Sequence, residues 1–434
     1  MTPGNPPTYH ITLLRHGESV GNAEGYHQGQ AEFPLTDKGR RQARALADHW
    51  SARGVSFDQA IASPLSRARE TAEIITAALN IPLSFDSIWM ERNNGLLAGL
   101  PHSTAAERYP IPDFVSLYHP IARTGESLWE LFIRSGRAVE TIMRQPPGRY
   151  LIVSHGALLD MAFHAILGAI PHPNFHGFAL PLRNTAYSRL RYTPQEGQWR
   201  LLTHNEHPHF DSIAENASGL ELPPDAYHFT LLRHGESVGN AEDKLQGQAD
   251  YPLTERGREQ ARLLAARWRA EKVTFDKAIA SPLERAHKTA QIISESLGLP
   301  LEIAPAWMEF DWGDLNGLSS QEVDQRSATI QWDDPYFPIG GDGESRWSVY
   351  LRASRSVQDL INSPPGRYLI VAHGAILNRF LSAVLGLTPQ NRASVRFAFE
   401  NTAFADLYFI PDRHLWVLDS LNNHDHLEQE DQRQ

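Results

Sequence analysis

Residues 9–23 read YHITLLRHGESVGNA and residues 227–241 read YHFTLLRHGESVGNA, identical but for Ile11 against Phe229. A repeat of this kind constrains the fold more than any other feature of the chain, because a duplicated segment folds as two copies of one unit. The offset is 218 residues. It holds without a gap from Tyr9/Tyr227 to Gly156/Gly374 and slips to 217 by Asn184-Thr185/Asn401-Thr402. Length alone would suggest about three domains of ~150 residues for a chain of 434. The repeat instead predicts two domains of roughly 200 residues, each long enough for its own core. The expected boundaries are a first domain over 9–210, a linker over 211–226, a second domain over 227–427 and a frayed tail over 428–434. The linker, DSIAENASGLELPPDA, is polar and ends in Pro-Pro.

Composition removes several classes of function. There is no cysteine, which excludes disulfides, thiolate catalysis and cysteine-based metal sites. Net charge is −11 and no long basic block occurs, which argues against nucleic acid as a partner. The opening MTPGNPPTYH lacks a basic stretch followed by an apolar one, so it does not read as a secretory signal. No apolar run approaches the ~18 residues of a membrane span. The expectation is a soluble cytoplasmic protein with neither a nucleic-acid nor a membrane partner.

Within each copy strands alternate with helices. Ile11–Leu14 is a short β-prone run. Thr36 is a plausible N-cap for a helix whose apolar face is Ala43, Leu46, Ala47 and Trp50, and Gly54 ends it. A second strand is expected at Gln59–Ala62, with Ser63-Pro64 capping and opening the next helix. A third strand is expected at Tyr150–Ser154, then His155-Gly156 and another helix. The second copy repeats each signal. This alternation predicts an α/β fold: two tandem three-layer α/β/α domains, each a mostly parallel sheet with helices on both faces.

Three places in each copy carry polar residues at or just beyond a strand end: Arg15-His16-Gly17, Arg67 in the first turn of the helix after the second strand, and His155. In open α/β sheets ligands bind outside the carboxyl ends of the strands, so these residues would converge on one crevice. Two arginines, two histidines and helix N-termini make an anion site, most naturally for phosphate. No GxxxxGK[ST] loop is present. A lone histidine is more often structural than catalytic, but the repeat changes the weighting. His16, Arg67, Glu91 and His155 are separated by 51, 24 and 64 residues, and His234, Arg285, Glu309 and His373 keep the same three spacings through diverged sequence. Recent duplication would account for part of that agreement.

The ordered set RHGES with a downstream Asn22, SPLxRAxxTA, a Glu followed by GxxxG, and V-S-H-G or V-A-H-G resembles the histidine phosphatase superfamily in its phosphoglycerate-mutase-like branch. Both halves resemble it over nearly their full length. The resemblance implies that His16 attacks phosphorus and forms a phosphohistidine, and Arg15 beside it disfavours the protonated ring that could not attack. It implies that Arg15, Arg67 and His155 hold the phosphoryl oxygens, with Asn22 at a phosphate-contacting position, and that Glu91 protonates the leaving oxygen and then activates water. Trp89, Leu96 and Leu97 are close in sequence and are expected to desolvate Glu91. In the second copy the roles fall to His234, Arg233, Arg285, His373, Asn240 and Glu309. No metal and no cofactor is called for, since arginines supply the positive charge. Glu18/Glu236 read as ligands or local caps. Gln30/Gln248 and Gly125-Glu126-Ser127/Gly343-Glu344-Ser345 read as loop-shaping and capping residues.

Relatives of mutase type carry a longer excursion between the GxxxG and Gly-Glu-Ser elements. Here only residues 100–124 and 318–342 fill it. A small lid fits hydrolysis better than a mutase's retained intermediate, so the expected function is a phosphomonoesterase acting on a small phosphate ester at two sites per chain. A phosphoglycerate-type mutase, and a phosphate-binding sensor with one inactive copy, are the alternatives. Two domains in one chain could also reproduce internally the pairing of a homodimer. Charge separates the copies: residues 92–124 hold three arginines against two acids, whereas 310–342 hold one arginine against seven. If these segments overhang the crevice, the first site favours a second anionic group on the substrate and the second repels it.

Overall fold

The computed structural model describes residues 7–213, 222–326, 330–332, 334–389 and 394–427. Half of the expected linker (214–221), the tail 428–434 and Asp333 of the acidic segment lie outside the described residues. The chain divides into two compact units, one for each copy, with 394–396 and 413–419 grouped with the first.

In the first unit β1 (Tyr9–Arg15), α1 (Asp37–Ala52), β2 (Gln59–Ala62), α2 (Ser66–Leu79), β3 (Leu83–Phe85), α3 (Leu128–Met143), β4 (Arg149–Ser154), α4 (Gly156–Leu167), β5 (Tyr187–Thr193) and β6 (Gln198–Glu206) follow in order. The sheet order is β3-β2-β4-β1-β5-β6. The first four strands pair in parallel, and β5 and β6 join antiparallel. β1 and β4 are nearly continuous buried runs, as strands covered on both faces must be. Leu14, Ala60, Ala62, Leu151 and Val153 share one core cluster with Leu46 and Trp50 of α1 and with Ala68, Ala72 and Ile75 of α2. The expected α/β class and mostly parallel sheet are present.

The second unit repeats this with β7 (Tyr227–Arg233), α5 (Glu255–Ala270), β8 (Lys277–Ala280), α6 (Glu284–Leu297), β9 (Leu301–Ile303), α7 (Arg346–Ile361), β10 (Arg367–Ala372), α8 (Gly374–Val384) and β11 (Phe404–Ile410), in the sheet order β9-β8-β10-β7-β11. Its core cluster is built alike, with Leu232, Trp268, Ala278, Ala280 and Ile293 at the corresponding places.

Local signals account for the element ends. Thr36 caps α1, its hydroxyl accepting from Gly39 N at 3.0 Å, and Gly54 follows the helix with φ +64°. The glycine of Arg-His-Gly has a packing reason. A Cβ on Gly17 would stand 2.6 Å from Gly39 O, so the first turn of α1 can press on the loop after β1 only if both residues are glycine. One expectation fails: Ser63-Pro64 does not cap α2. The helix starts at Ser66 with Leu65 at the N-cap and no side-chain cap bond. The Ser63 hydroxyl is engaged by His155 instead.

Candidate active site

The parallel strands β1, β2 and β4 deliver their carboxyl ends to one place, and a cavity of about 190 Å³ lies there. Arg15, His16, Arg67 and Glu91 line it, together with Tyr26, His27, Gln28, Arg92, Asn94 and Ala157. His155 stands behind His16 with ring centroids 5.1 Å apart. The second copy places His234 and His373 at the same 5.1 Å.

Both histidines are buried, and a backbone carbonyl sets the tautomer of His16. His16 Nδ1–H donates to its own chain at Gly17 O, 2.7 Å away, which leaves the lone pair on Nε2. His155 Nε2 lies 2.8 Å from Ser63 Oγ, and that hydroxyl accepts from Leu65 N at 3.3 Å. A hydroxyl both donates and accepts, so either tautomer of His155 makes this bond. The His155 Nδ1 is buried with no protein partner among the described residues. Burial first, then the charges of Arg67 and Arg15, holds His16 well below the usual histidine range. Burial, Arg67, His16 and Arg15 do the same to His155. His234 and His373 follow suit with Arg285 and Arg233.

The arginines are fixed by carbonyls. Arg67 is 1% exposed; its Nη1 donates to Ala31 O at 3.0 Å and its Nη2 to Gly29 O at 2.7 Å. Desolvation pushes its pKa down to about 10, so it stays cationic at neutral pH. Arg15 Nη1 donates to Leu182 O at 2.8 Å. The Nε of each arginine is buried without an acceptor among the described residues, and so are those of Arg233 and Arg285. A buried donor left unpaired costs about 1–3 kcal/mol, so four such atoms repeated pairwise mark a place for an anion.

The Glu91 carboxylate accepts from Arg92 N (2.8 Å), Ala157 N (3.3 Å) and Leu158 N (3.2 Å). Glu309 does the same with Phe310 N, Ala375 N and Ile376 N. This corrects one expectation: the Ala157 and Leu158 N–H groups in the first turn of α4 are taken by the chain's own carboxylate rather than held open for phosphate. Of the three apolar residues expected to shield Glu91, Leu96 is exposed, while Trp89 and Leu97 are buried, Trp89 with its carbonyl bonded to Ser154 Oγ. Asn22 Oδ1 accepts from Ser19 N (3.2 Å) and Asn184 Nδ2 (3.3 Å), while Asn184 Nδ2 also reaches His16 O at 2.9 Å. Asn240 and Asn401 repeat this around His234. Asn22 is thus beside the histidine loop but not in the cavity wall. Glu18 is a local cap, accepting from Thr36 Oγ1 at 2.9 Å and pairing with Lys38.

Sequence reasoning missed Arg134. It donates to Ile88 O, Met90 O and Glu91 O and forms a two-toothed pair with Glu126, fixing the segment that ends in Glu91. Arg352 and Glu344 repeat every one of these bonds. The retained 218 offset of Arg134/Arg352 was the available signal. Gln30, expected to shape a loop, donates to Glu91 O at 3.0 Å and steadies the same segment. Of the charged residues counted over 92–124, Arg92 alone lines the cavity.

With that geometry in place, the sequence model of the histidine phosphatase superfamily (branch 1) matches residues 11–207 and again 229–424. The chain belongs to that superfamily, twice over. A protein of Enterobacter sp. strain 638, named "Probable phosphoglycerate mutase GpmB", is 33% identical over 208 residues, 46% of this chain and 94% of that protein. Its namesake in Shigella boydii serotype 18 is 37% identical over 196 residues, 44% and 86% of the two chains. Among solved structures, a mycobacterial glucosyl-3-phosphoglycerate phosphatase is similar at 29% identity and a TM-score of 0.40, covering 45% of this chain and 99% of that one. The alpha-ribazole phosphatase of Shigella flexneri is similar at 27% identity and a TM-score of 0.40, over 45% and 96%. No helix among the described residues is long and apolar enough to cross a membrane.

The buried histidines have a consequence for stability. Burial lowers His204, His209 and His426 to about 3. They stay neutral in the folded chain, while the unfolded chain takes up protons near pH 6.5. Their contribution is therefore complete above pH 6.5 and is lost progressively as pH falls from there toward 3. Each such histidine is expected to cost about 2 kcal/mol between pH 7 and pH 5. Denaturant unfolding at the two pH values checks this, and a midpoint unchanged between them would contradict it.

Proposed function

We propose that each copy hydrolyses phosphomonoesters of small metabolites without a metal, through a phosphohistidine on His16 in the first copy and on His234 in the second. The observation that carries this reading is found in both copies: a neutral histidine with its proton fixed on Nδ1, beside two arginines whose buried Nε atoms lack an acceptor among the described residues. His16 Nε2 attacks phosphorus opposite the ester oxygen. The equatorial oxygens, where charge accumulates, meet Arg15, Arg67 and the ring of His155. These donors are held by carbonyls and Ser63, so little reorganisation accompanies transfer. Glu91 gives a proton to the departing oxygen as the P–O bond breaks. It then takes one from the water that attacks the phosphohistidine, which releases inorganic phosphate and the neutral His16 ring. In the second copy Arg233, Arg285, His373 and Glu309 play these parts.

A second reading is a phosphomutase, favoured by the printed name of the GpmB proteins. Against it stands the short excursion over 100–124 and 318–342, a small cover for an intermediate that must be kept from water while it turns. The sensor reading needs one degraded copy, and both copies keep the full residue set. Incubation with 3-phosphoglycerate and with a panel of phosphorylated metabolites separates the readings. Release of inorganic phosphate is expected. Formation of 2-phosphoglycerate without phosphate release would replace hydrolysis by mutase chemistry.

A further inference from the structure

A second cavity of about 190 Å³ adjoins the phosphate cavity of the first copy. The two share Arg92 and Ala157 in their walls, so they abut at these residues. On the far side the wall is largely apolar: Leu128 and Leu131 from α3, Met161 from α4, and Phe175 and Phe178 from the following loop and strand. Of its polar members, Asp160 Oδ1 accepts from Leu180 N at 2.7 Å, and His164 donates to Phe178 O while its ring stacks on Phe178 at 4.1 Å; His172 and His176 also line it. Arg92 is held where the two cavities meet. Its Nε donates to Glu126 O at 3.1 Å and its guanidinium lies over the Phe175 ring, 5.9 Å from the centroid.

The rim continues the apolar character. Val115 and Asn174 exchange two hydrogen bonds, Val115 N to Asn174 Oδ1 at 2.6 Å and Asn174 N to Val115 O at 3.0 Å, which fasten the excursion to the loop carrying Phe175. Close by in the excursion, Phe114 and Tyr118 are 63% and 65% exposed. A dry apolar cavity of about 150 Å³ is enough to take a benzene ring.

We propose that this annexe is the leaving-group subsite of the first copy, and that its substrates are phosphomonoesters whose alcohol carries an apolar group about the size of one aromatic ring. This rests on the reading of the first copy as a phosphomonoesterase. The second copy is built differently at the same offset. Arg346 and Arg379 stand where the first copy has Leu128 and Met161, and Phe310 replaces Arg92, stacked on Trp312 at 4.1 Å. The preference therefore belongs to one site of the two.

The test compares ω-phenylalkyl phosphates, from phenylethyl to phenylbutyl, with the unsubstituted alkyl phosphates of the same chain length, so that leaving-group basicity is matched. His234→Ala leaves the first site alone and His16→Ala the second. In His234→Ala the best phenylalkyl ester is expected to exceed its alkyl counterpart in kcat/KM by about tenfold or more, mostly through KM. In His16→Ala the ratio is expected to be near one. Met161→Arg in the His234→Ala background places the second copy's residue in the annexe and is expected to bring the ratio to near one. A damaged fold lowers both substrates together and leaves the ratio high, which separates it from loss of the subsite. A ratio near one in His234→Ala, with alkyl phosphates still hydrolysed, overturns the annexe and leaves the phosphatase reading intact. Hydrolysis of neither ester by His234→Ala, with the second site active, removes the phosphatase reading of the first copy itself.

Discussion

Alanine at both His16 and His234 is expected to reduce phosphate release by about ten-thousandfold or more, the loss of a covalent route rather than of one contact. Either replacement alone is expected to leave the other site working. The reason is geometric. Each histidine has its proton fixed by its own following glycine, Gly17 O or Gly235 O at 2.7 Å, and each has its own pair of arginines with a buried Nε. Within either copy the hydrogen bonds that set this geometry come from that copy. Initial rates over a substrate panel, measured on both singles and the double, check the claim. A single replacement that abolishes turnover of every substrate would contradict two independent sites.

Glutamine at Glu91 and Glu309 is expected to separate substrates by their leaving groups. The carboxylate is held by Arg92 N, Ala157 N and Leu158 N, and Arg134 fixes the backbone that carries it, so an amide should occupy the same place with little disturbance. What it loses is the proton to give. Alkyl phosphates, whose departing oxygen needs that proton, are expected to slow by about a hundredfold or more. p-Nitrophenyl phosphate, whose phenolate leaves without help, is expected to slow far less in the phosphorylation step. Presteady-state rates with both substrates distinguish this from a structural role, for which the two losses would be equal.

How far the sequence alone reaches can be judged at particular residues. The strand ends and His16, Arg67, Glu91 and His155 were legible because the second copy keeps their spacing while its other residues diverge. β2 was read at its observed limits, Gln59–Ala62, from a short apolar run before Ser-Pro. Ser63 was misread because Ser-Pro is a local helix-start signal, whereas its partner His155 lies 92 residues away. The occupied helix N-terminus was illegible for the same reason: Glu91 and Leu158 are 67 residues apart. Arg134 resembled any exposed helix arginine until its three carbonyl partners came into view. The charge count over 92–124 treated the segment as a uniform lid, but only Arg92 of that count reaches the cavity. The annexe beside it depends on how α3, α4 and the loop at Phe175 pack, and no pattern within any one of them shows it.

The central claim is a phosphorylated imidazole in each copy, and the direct measurement is peptide mapping after a single turnover, quenched without acid, of the His16→Ala and His234→Ala enzymes. The expected result is label on His234 in the first enzyme and on His16 in the second, lost again on a chase with water. Label on a serine, or no labelled peptide at times when chemistry is complete and phosphate release is not, would contradict it.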